Sequence, residues 1–464
     1  MEPKNFRFGG GVPDTVLGPT VLVAMLVTVG LIFLLPRKYV IVPMMLNTFL
    51  CPVVQTLVIG GFHIFVVRIL LLAGWIRLLA TKRGNASLCS GGYNTIDKIL
   101  TIWAIGRALA PILLFGQMGA VVYQTGIMLD TFAAYFLARW LVQDTEDVDR
   151  VIKTFAVIAM ILSVTMVYER KTGINVYGLM GGVPIIPDVR DGEFRAQGPF
   201  AHAILAGCFG AVLFPLFFWL WKGRKSRLLG LGGMAAATVI PFSTVCSTPV
   251  MAYGGGLFAL CFWPLRKRMR WVRWGIIVGL IALQLVMKAP FWWAIQHVDV
   301  AGGSSSWHRA LLVDQFITHV DDWWLLGTKD NASWGHHTWD VANQYVAEGE
   351  IGGMLAFLCF LGIIRAGFVR IGKARKCVEG NRKREWFLWC LGGTLFAHVV
   401  AYFGISYFDW SRIGWLIFLA MISAATCSVL TPKGRKRRSL DTAAATESSD
   451  APEVLVPSIA MQNA

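Results

Sequence analysis

Residues 290–350 read PFWWAIQHVDVAGGSSSWHRALLVDQFITHVDDWWLLGTKDNASWGHHTWDVANQYVAEGE, a polar stretch between the apolar runs 271–289 and 349–369. Each flanking run is about the length of a bilayer-spanning helix, ~20 residues. Connections between adjacent elements are ordinarily short, so a connector of this size is expected to carry function. It holds five of the eight histidines (His297, His308, His319, His336, His337) and seven of the nineteen tryptophans.

Composition places the whole chain in the bilayer. Of 464 residues 56% are hydrophobic and 15% charged, with a mean hydropathy of +0.58. Soluble domains average about 25% charged, so a multi-spanning membrane protein is expected. The net charge of +16 does not point to nucleic acid, because the basic residues cluster in short loops between apolar runs. The first apolar run follows a Gly/Pro stretch without a small-residue cleavage site, so no cleavable signal is expected. The nine cysteines have no metal-ligand spacing and avoid the two longest polar loops. They read as small core residues rather than as disulfide staples.

Thirteen apolar runs are candidate spans: 16–35, 39–50, 62–80, 98–116, 118–142, 151–168, 200–221, 228–246, 249–265, 271–289, 349–369, 386–404 and 412–430. The run 39–50 is short for a span, and reading it as a dip into the membrane gives about twelve with both ends inside. Counting it gives about thirteen and an outside N-terminus. The basic loops at 222–227, 266–273 and 370–384 and the tail after Lys433 belong inside, which puts 169–199, 290–348 and 405–411 outside. The fold class expected is all-α: a polytopic membrane protein of about twelve transmembrane helices with a large outer, periplasmic loop carrying an amphipathic helix. Residues 1–432 form one membrane domain, and 433–464 a disordered cytoplasmic tail, basic and then Ser/Ala/Glu-rich.

Ionisable residues inside spans are functional candidates. Arg107 and Asp130 lie at similar depth, about 15 and 20 Å from the turn near Gln117. An ion pair between them is the plain expectation, with a head-group or proton path as the other reading. Arg68, near the outer end of its span, snorkels to the interface or contacts an anionic ligand.

The first outer loop ends in Arg190-Asp-Gly-Glu-Phe-Arg-Ala-Gln-Gly-Pro-Phe-Ala-His202. Pro199 suits the first turn of the next helix, and Arg195 beside a helix N-terminus suits a phosphate cradle. His202 is either a packed histidine or part of that site.

In the second outer loop, Ser304-Ser305-Ser306 is an N-cap signal and 306–325 reads as an amphipathic helix ending before Gly327. Leu312, Phe316, Val320 and Trp323 share its apolar face, and Arg309 falls in the middle of that face. A cation aimed into an apolar surface needs an anion, which makes Arg309 a phosphate ligand unless it snorkels out. Beyond it, His336, His337, Asp340 and Asn343 share one short segment, a pattern suited to general-base work on a sugar hydroxyl. No third ligand completes a metal site beside the histidine pair.

Three motifs together carry a resemblance: Arg195-Ala-Gln-Gly-Pro-Phe-Ala-His202, Ser-Trp-His-Arg309 with Leu-Leu-Gly327, and Asp340-Val-Ala-Asn343-Gln-Tyr. In this order and on one face, the chain resembles the O-antigen ligase / polysaccharide polymerase family. The resemblance implies a glycosyltransferase that moves glycan from a polyprenyl-diphosphate donor to a glycan or lipid acceptor at the outer face of a bacterial inner membrane. It implies an inverting reaction without cofactor or metal, with Arg195 and Arg309 on the diphosphate and His336 or His337, with Asp340, as the base. His202, Asn343 and Arg68 complete the substrate contacts expected. Two departures stand out: Ala342 replaces the usual histidine before the Asn, and Ser247-Thr-Pro-Val-Met-Ala replaces a Ser-x-Ser-Arg helix start. Ligase and polymerase share the donor and are not separated here. The rival class is a transporter or flippase for lipid-linked glycan.

Overall fold

The computed structural model describes residues 15–59, 62–81, 88–290, 292–293, 306–335 and 338–430. The tail 433–464, His297, His336, His337 and the Ser304-Ser305 signal lie outside the described residues.

The described residues are 76% helical. Helices α1 (Pro19–Leu34), α2 (Arg37–Leu50), α3 (Val66–Thr81), α4 (Thr95–Phe115) and α5 (Met118–Leu141) lead into α6 (Thr145–Thr172) and α7 (Ala203–Trp221). Then come α8 (Arg227–Ser243), α9 (Ser247–Cys261) and α10 (Met269–Val286). The second long loop carries α11 (Ser306–Thr318) and α12 (Val320–Trp323), and α13 (Gln344–Cys377), α14 (Arg382–Ala401) and α15 (Ser411–Leu430) complete the bundle.

Every one of the thirteen apolar runs contains a helix. Among the described residues, however, seven helical stretches are long and apolar enough to cross a membrane: α4, α5, α6, α7, α13, α15 and 263–286, which includes α10. Of the others, α14 is 20 residues long but more polar, and three of the shorter ones have visible local limits. The run 62–80 gives its first residues to a hairpin of β1 (Thr56–Ile59) and β2 (Phe62–Phe65), in register Thr56↔Phe65 and Leu57↔Ile64. The runs 228–246 and 249–265 are cut by a tight turn in which Val245 has φ +49°. A second hairpin, β3 (Val189–Arg190) with β4 (Glu193–Phe194), turns through Asp191 and Gly192 at φ +51° and +79°. Asp-Gly is the dipeptide such a turn requires, so the chain is nearly, not wholly, α.

Helix limits follow side-chain chemistry. Asn94 accepts the Ile96 N–H while Asp97 takes the Asn94 N–H, a capping box that starts α4, and Gly116 at φ +59° stops it. Asp144 caps α6 and Asn343 caps α13, each side chain accepting two N–H groups of the first turn.

The loops sort onto two faces. Gln55 donates to the Met180 and Gly181 carbonyls, Val53 N–H to Pro199, Ala201 N–H to Asp409 and Ser406 Oγ to Val341, which gathers the long loops on one face. On the opposite face the basic loops meet: Arg37 pairs with Asp147, Arg266 with Glu385 and Lys267 with Glu379.

The expected Arg107–Asp130 pair is not formed. Arg107 sits 3.2 Å from Glu348, and Asp130 is held by Arg68 at 2.9 Å. The reason is facing direction: α4 turns Arg107 toward α13, where Gly352 lies against the Arg107 backbone, while α5 turns Asp130 toward Arg68 of α3. A shared depth does not put two side chains on a shared face.

Candidate functional site

The corner from Arg195 to His202 is tied down almost residue by residue. Arg195 N–H donates to Asp188 O and Ala196 N–H to Ser243 O. Glu169, in the last turn of α6, accepts the N–H groups of Gln197 (3.0 Å) and Gly198 (2.9 Å). Asn175 Nδ2 donates to Gly198 O, Val53 N–H to Pro199 O and Ala201 N–H to Asp409 Oδ2. Backbone polar groups withdrawn from water need partners, and here six residues, Asp188, Ser243, Glu169, Asn175, Val53 and Asp409, supply them.

α7 begins at Ala203, so Pro199 lies in the turn ahead of the helix rather than in its first turn. The cap is His202 itself, whose Nδ1 accepts the Ile204 N–H at 3.2 Å. That role needs a ring nitrogen without a proton. Burial, then the charge of Arg195, holds the imidazole below its ordinary value near 6.5, while Asp188 and Asp340 pull the other way. The same four groups therefore share one electrostatic neighbourhood. Arg195 also donates from Nη2 to Cys246 Sγ at 3.0 Å, across the turn that holds Val245 in its left-handed conformation.

The second long loop brings Arg309 to this region. α11 runs from Ser306 to Thr318, and the expected helix 306–325 breaks at His319, with α12 as a separate short turn. Its apolar side is buried as the periodicity requires: Ala310, Leu312, Phe316 and Trp323 are covered, while Ile317 and Trp324 stay exposed. Arg309 lies on the covered side, 6% exposed, and its charge acts on Cys208 in the second turn of α7. Beside it, His308 Nε2 meets the Asp340 carbonyl at 3.0 Å, which ties the start of α11 to the Asp340 segment.

Asp340 itself is exposed. Asn343 is buried and engaged as the cap of α13, accepting from Tyr345 and Val346. Arg195, His202, Arg309 and Asp340 thus come together at the loop-face end of α7, whereas Arg68 belongs to the ion pair with Asp130 on the α3–α5 side. His336 and His337 lie outside the described residues.

The tryptophans divide. Trp323 stacks on Phe316 at 4.0 Å and is buried, and Trp334 stacks on His319 while donating to Asp322. These two hold the loop together. Trp307, Trp324 and Trp339 remain exposed on it.

Leu-Leu-Gly327 has a backbone reason. α13 is broken at Gly353, φ +66°, and the turn segment 324–328 packs against the break. Met354 N–H donates to Trp324 O and Thr328 N–H to Glu350 O, each at 2.8 Å. A Cβ on Gly327 would stand 2.2 Å from the Glu350 carbonyl.

Three contributors escaped the sequence reading. Asp409 links loop 405–411 to Ala201; Gln344 joins the Tyr407 N–H to Glu348 through its amide; Cys246 meets Arg195. A buried carboxylate in the short stretch Phe408-Asp409-Trp410 was the one available signal. Among the described residues no cluster of three or more metal-ligating side chains forms. A cavity among Phe155, Phe209, His398, Tyr407, Ser411 and Trp415 lies deeper in the bundle, walled mainly by aromatic rings, apart from the charged group.

The chain matches no protein-family model, and no curated protein matches it significantly.

Proposed function

We propose that the chain is a membrane glycosyltransferase acting at the membrane surface where its long loops gather, moving or polymerising glycan from a polyprenyl-diphosphate donor onto a sugar hydroxyl. The observation that supports this reading most is the convergence of Arg195, His202, Arg309 and Asp340, contributed by two loops more than a hundred residues apart, at the start of α7. In the proposed reaction the acceptor oxygen attacks the anomeric carbon from the side opposite the diphosphate. The bond from that carbon to the diphosphate oxygen breaks, and configuration inverts. Arg195 and Arg309 stabilise the charge that gathers on the leaving group, where cations held away from bulk water act strongly. His336 or His337 takes the proton of the acceptor hydroxyl, with Asp340 beside them. The exposed Trp307, Trp324 and Trp339 offer faces for sugar rings. The side with the basic loops is then cytoplasmic and the site faces the periplasm of a bacterial inner membrane. Ligase and polymerase differ in the acceptor alone.

A second reading, transport of lipid-linked glycan without chemistry, draws on the broken helix α13 and the intramembrane pairs Arg68–Asp130 and Arg107–Glu348, features that transporters use. Purified protein given a defined lipid-diphosphate donor and a series of acceptors separates the two. Transfer to an acceptor, lost in Arg309→Ala and in one of His336→Ala or His337→Ala, supports the enzyme. Donor movement across vesicles with no transfer to any acceptor supports the transporter.

A further inference from the structure

Glu350 is a buried carboxylate that the proposed reaction leaves unused. It lies in the second turn of α13, ahead of the break at Gly353, and is 8% exposed. Its Oε1 accepts from Asn331 Nδ2 at 3.0 Å, and the same amide donates to the Thr338 carbonyl at 2.8 Å. The Thr338 hydroxyl donates in return to Asn331 O at 2.6 Å and also reaches Gly335 O. Asn331 and Thr338 are therefore bonded in both directions, with α13 as the fixed side of the junction. Thr328 N–H, donating to the Glu350 carbonyl, ties the same loop to the same residue. Asn331 and Thr338 are 7% and 0% exposed, so these bonds are shielded from water.

A carboxylate fixes Asn331 in one orientation. The Asn amide presents two donors on its nitrogen and an acceptor on its oxygen. Glu350 Oε1 and the Thr338 carbonyl are both acceptors, so the nitrogen faces them; a turned amide would set its own oxygen against two others. Enclosing a carboxylate with a single side-chain donor costs desolvation energy, a cost that a residue serving packing alone would avoid.

The junction governs the stretch that follows it. Thr338 stands two residues before Asp340, and Asn343 is buried as the cap of α13. Between these two buried anchors Trp339 and Asp340 are exposed. His308 Nε2 at the Asp340 carbonyl and Ser406 Oγ at the Val341 carbonyl hold the backbone of the stretch on its flank.

We infer that Glu350 is a positioning residue for Asp340. By holding Asn331 against Thr338 it sets where the exposed Trp339–Asp340 stretch stands within the group at the start of α7. Glu350 acts through Asn331 and Thr338 and not on substrate. The positioning role rests on the proposed glycosyl transfer; the anchoring of 331–338 to α13 does not.

The test pairs hydrogen exchange with transfer kinetics, on the full chain in detergent with a defined lipid-diphosphate donor and acceptor. Glu350→Ala is expected to speed exchange of the amides in 338–342 about tenfold or more, the effect of losing a hydrogen bond to a charged group, with α4 and α7 unchanged. The kcat for transfer should fall by a similar factor while the KM for the donor holds, because the diphosphate contacts assigned to Arg195 and Arg309 remain. Glu350→Gln, which keeps an acceptor oxygen, restores most of both, and the exposed variant Ser333→Ala alters neither. Unchanged exchange in Glu350→Ala overturns the anchor. Faster exchange with unchanged kcat overturns the positioning role, as does equal loosening of 338–342, α4 and α7, which marks general unfolding. If wild type transfers glycan to no acceptor, the reaction fails and the positioning role with it, while exchange still decides the anchor. Should Glu350→Ala fail to fold, Asn331→Ala removes the same bond from the loop side and carries the same expectations.

Discussion

Asp409 Oδ2 accepts the N–H of Ala201 at 3.2 Å, while its Oδ1 takes the N–H of Ser411 at 2.7 Å. The carboxylate is buried, and it joins the short loop before α15 to the corner that leads into α7. The position of His202, one residue on, therefore depends on a residue more than two hundred positions later in the chain.

Asp409→Ala removes the acceptor of the buried Ser411 N–H, an orphaned donor that costs about 1–3 kcal/mol, and of the partly exposed Ala201 N–H, which costs less. The melting temperature in detergent should fall by several degrees. Asp409→Asn, which keeps one carbonyl oxygen, should fall less. Equal stability of the alanine variant and wild type would show that the link to Ala201 is unimportant.

Arg107 and Glu348 should behave as a unit. Glu348→Ala leaves the Arg107 guanidinium without its counter-ion inside the bundle, a loss of about 3–5 kcal/mol. Adding Arg107→Met should return part of that loss, so the double variant is more stable than the sum of the singles implies. Strict additivity in thermal unfolding would remove the pair from the account.

Gly327 has φ +86°, and its Cα faces the Glu350 carbonyl. Gly327→Ala combines a strained left-handed backbone with a clash against main chain, at a cost of about 2 kcal/mol or more. The damage should be local, exposing 324–328 and the Gly353 break to proteolysis or hydrogen exchange before the rest of the bundle. Unchanged protection of that segment counts against its role as the clasp of α13.

His202 gives the pH dependence a sign. Burial and Arg195 hold its folded pKa below the ordinary 6.5, so below that pH the unfolded chain binds the proton that the native cap refuses. This share of stability is complete above about pH 6.5 and declines as the pH falls toward the folded value. His202→Asn, which keeps an N-cap acceptor that does not titrate, should flatten the acidic limb of melting temperature against pH. An unaltered limb would rule His202 out as its source.

Under the proposed reaction, transfer should persist in EDTA, because arginines replace a metal at the diphosphate. Activity abolished by EDTA and restored by a divalent cation contradicts that mechanism.

Much of the architecture was legible because hydrophobicity along the chain is a local property. Each apolar run holds a helix, and the face of α11 holding Leu312 and Phe316 is the one buried. The long loops, grouped apart from the basic ones in the sequence, are joined to one another by hydrogen bonds from Ala201 to Asp409 and from Ser406 to Val341. The limits of runs were harder to read. The β1–β2 hairpin takes the beginning of 62–80, where Thr56 also bridges to Val16, and 306–325 breaks at His319, whose ring stacks on Trp334.

By itself the sequence determined that this is a helical membrane protein, that residues 169–199 and 290–348 stand apart from its spans, and which arginines and histidines are worth attention. Residues 290–350 identified Arg309 by its misplaced charge on an apolar face, a one-dimensional signal that survives folding. Only the tertiary structure decided partnership: Arg107 with Glu348, Arg68 with Asp130, Asp409 with Ala201, and segment 324–328 with the break at Gly353. The physical reason is that a helix sets the depth of a side chain through its rise, whereas its partner depends on rotation and on which neighbour packs there. That choice is made by long-range packing, which no periodicity within a single run records.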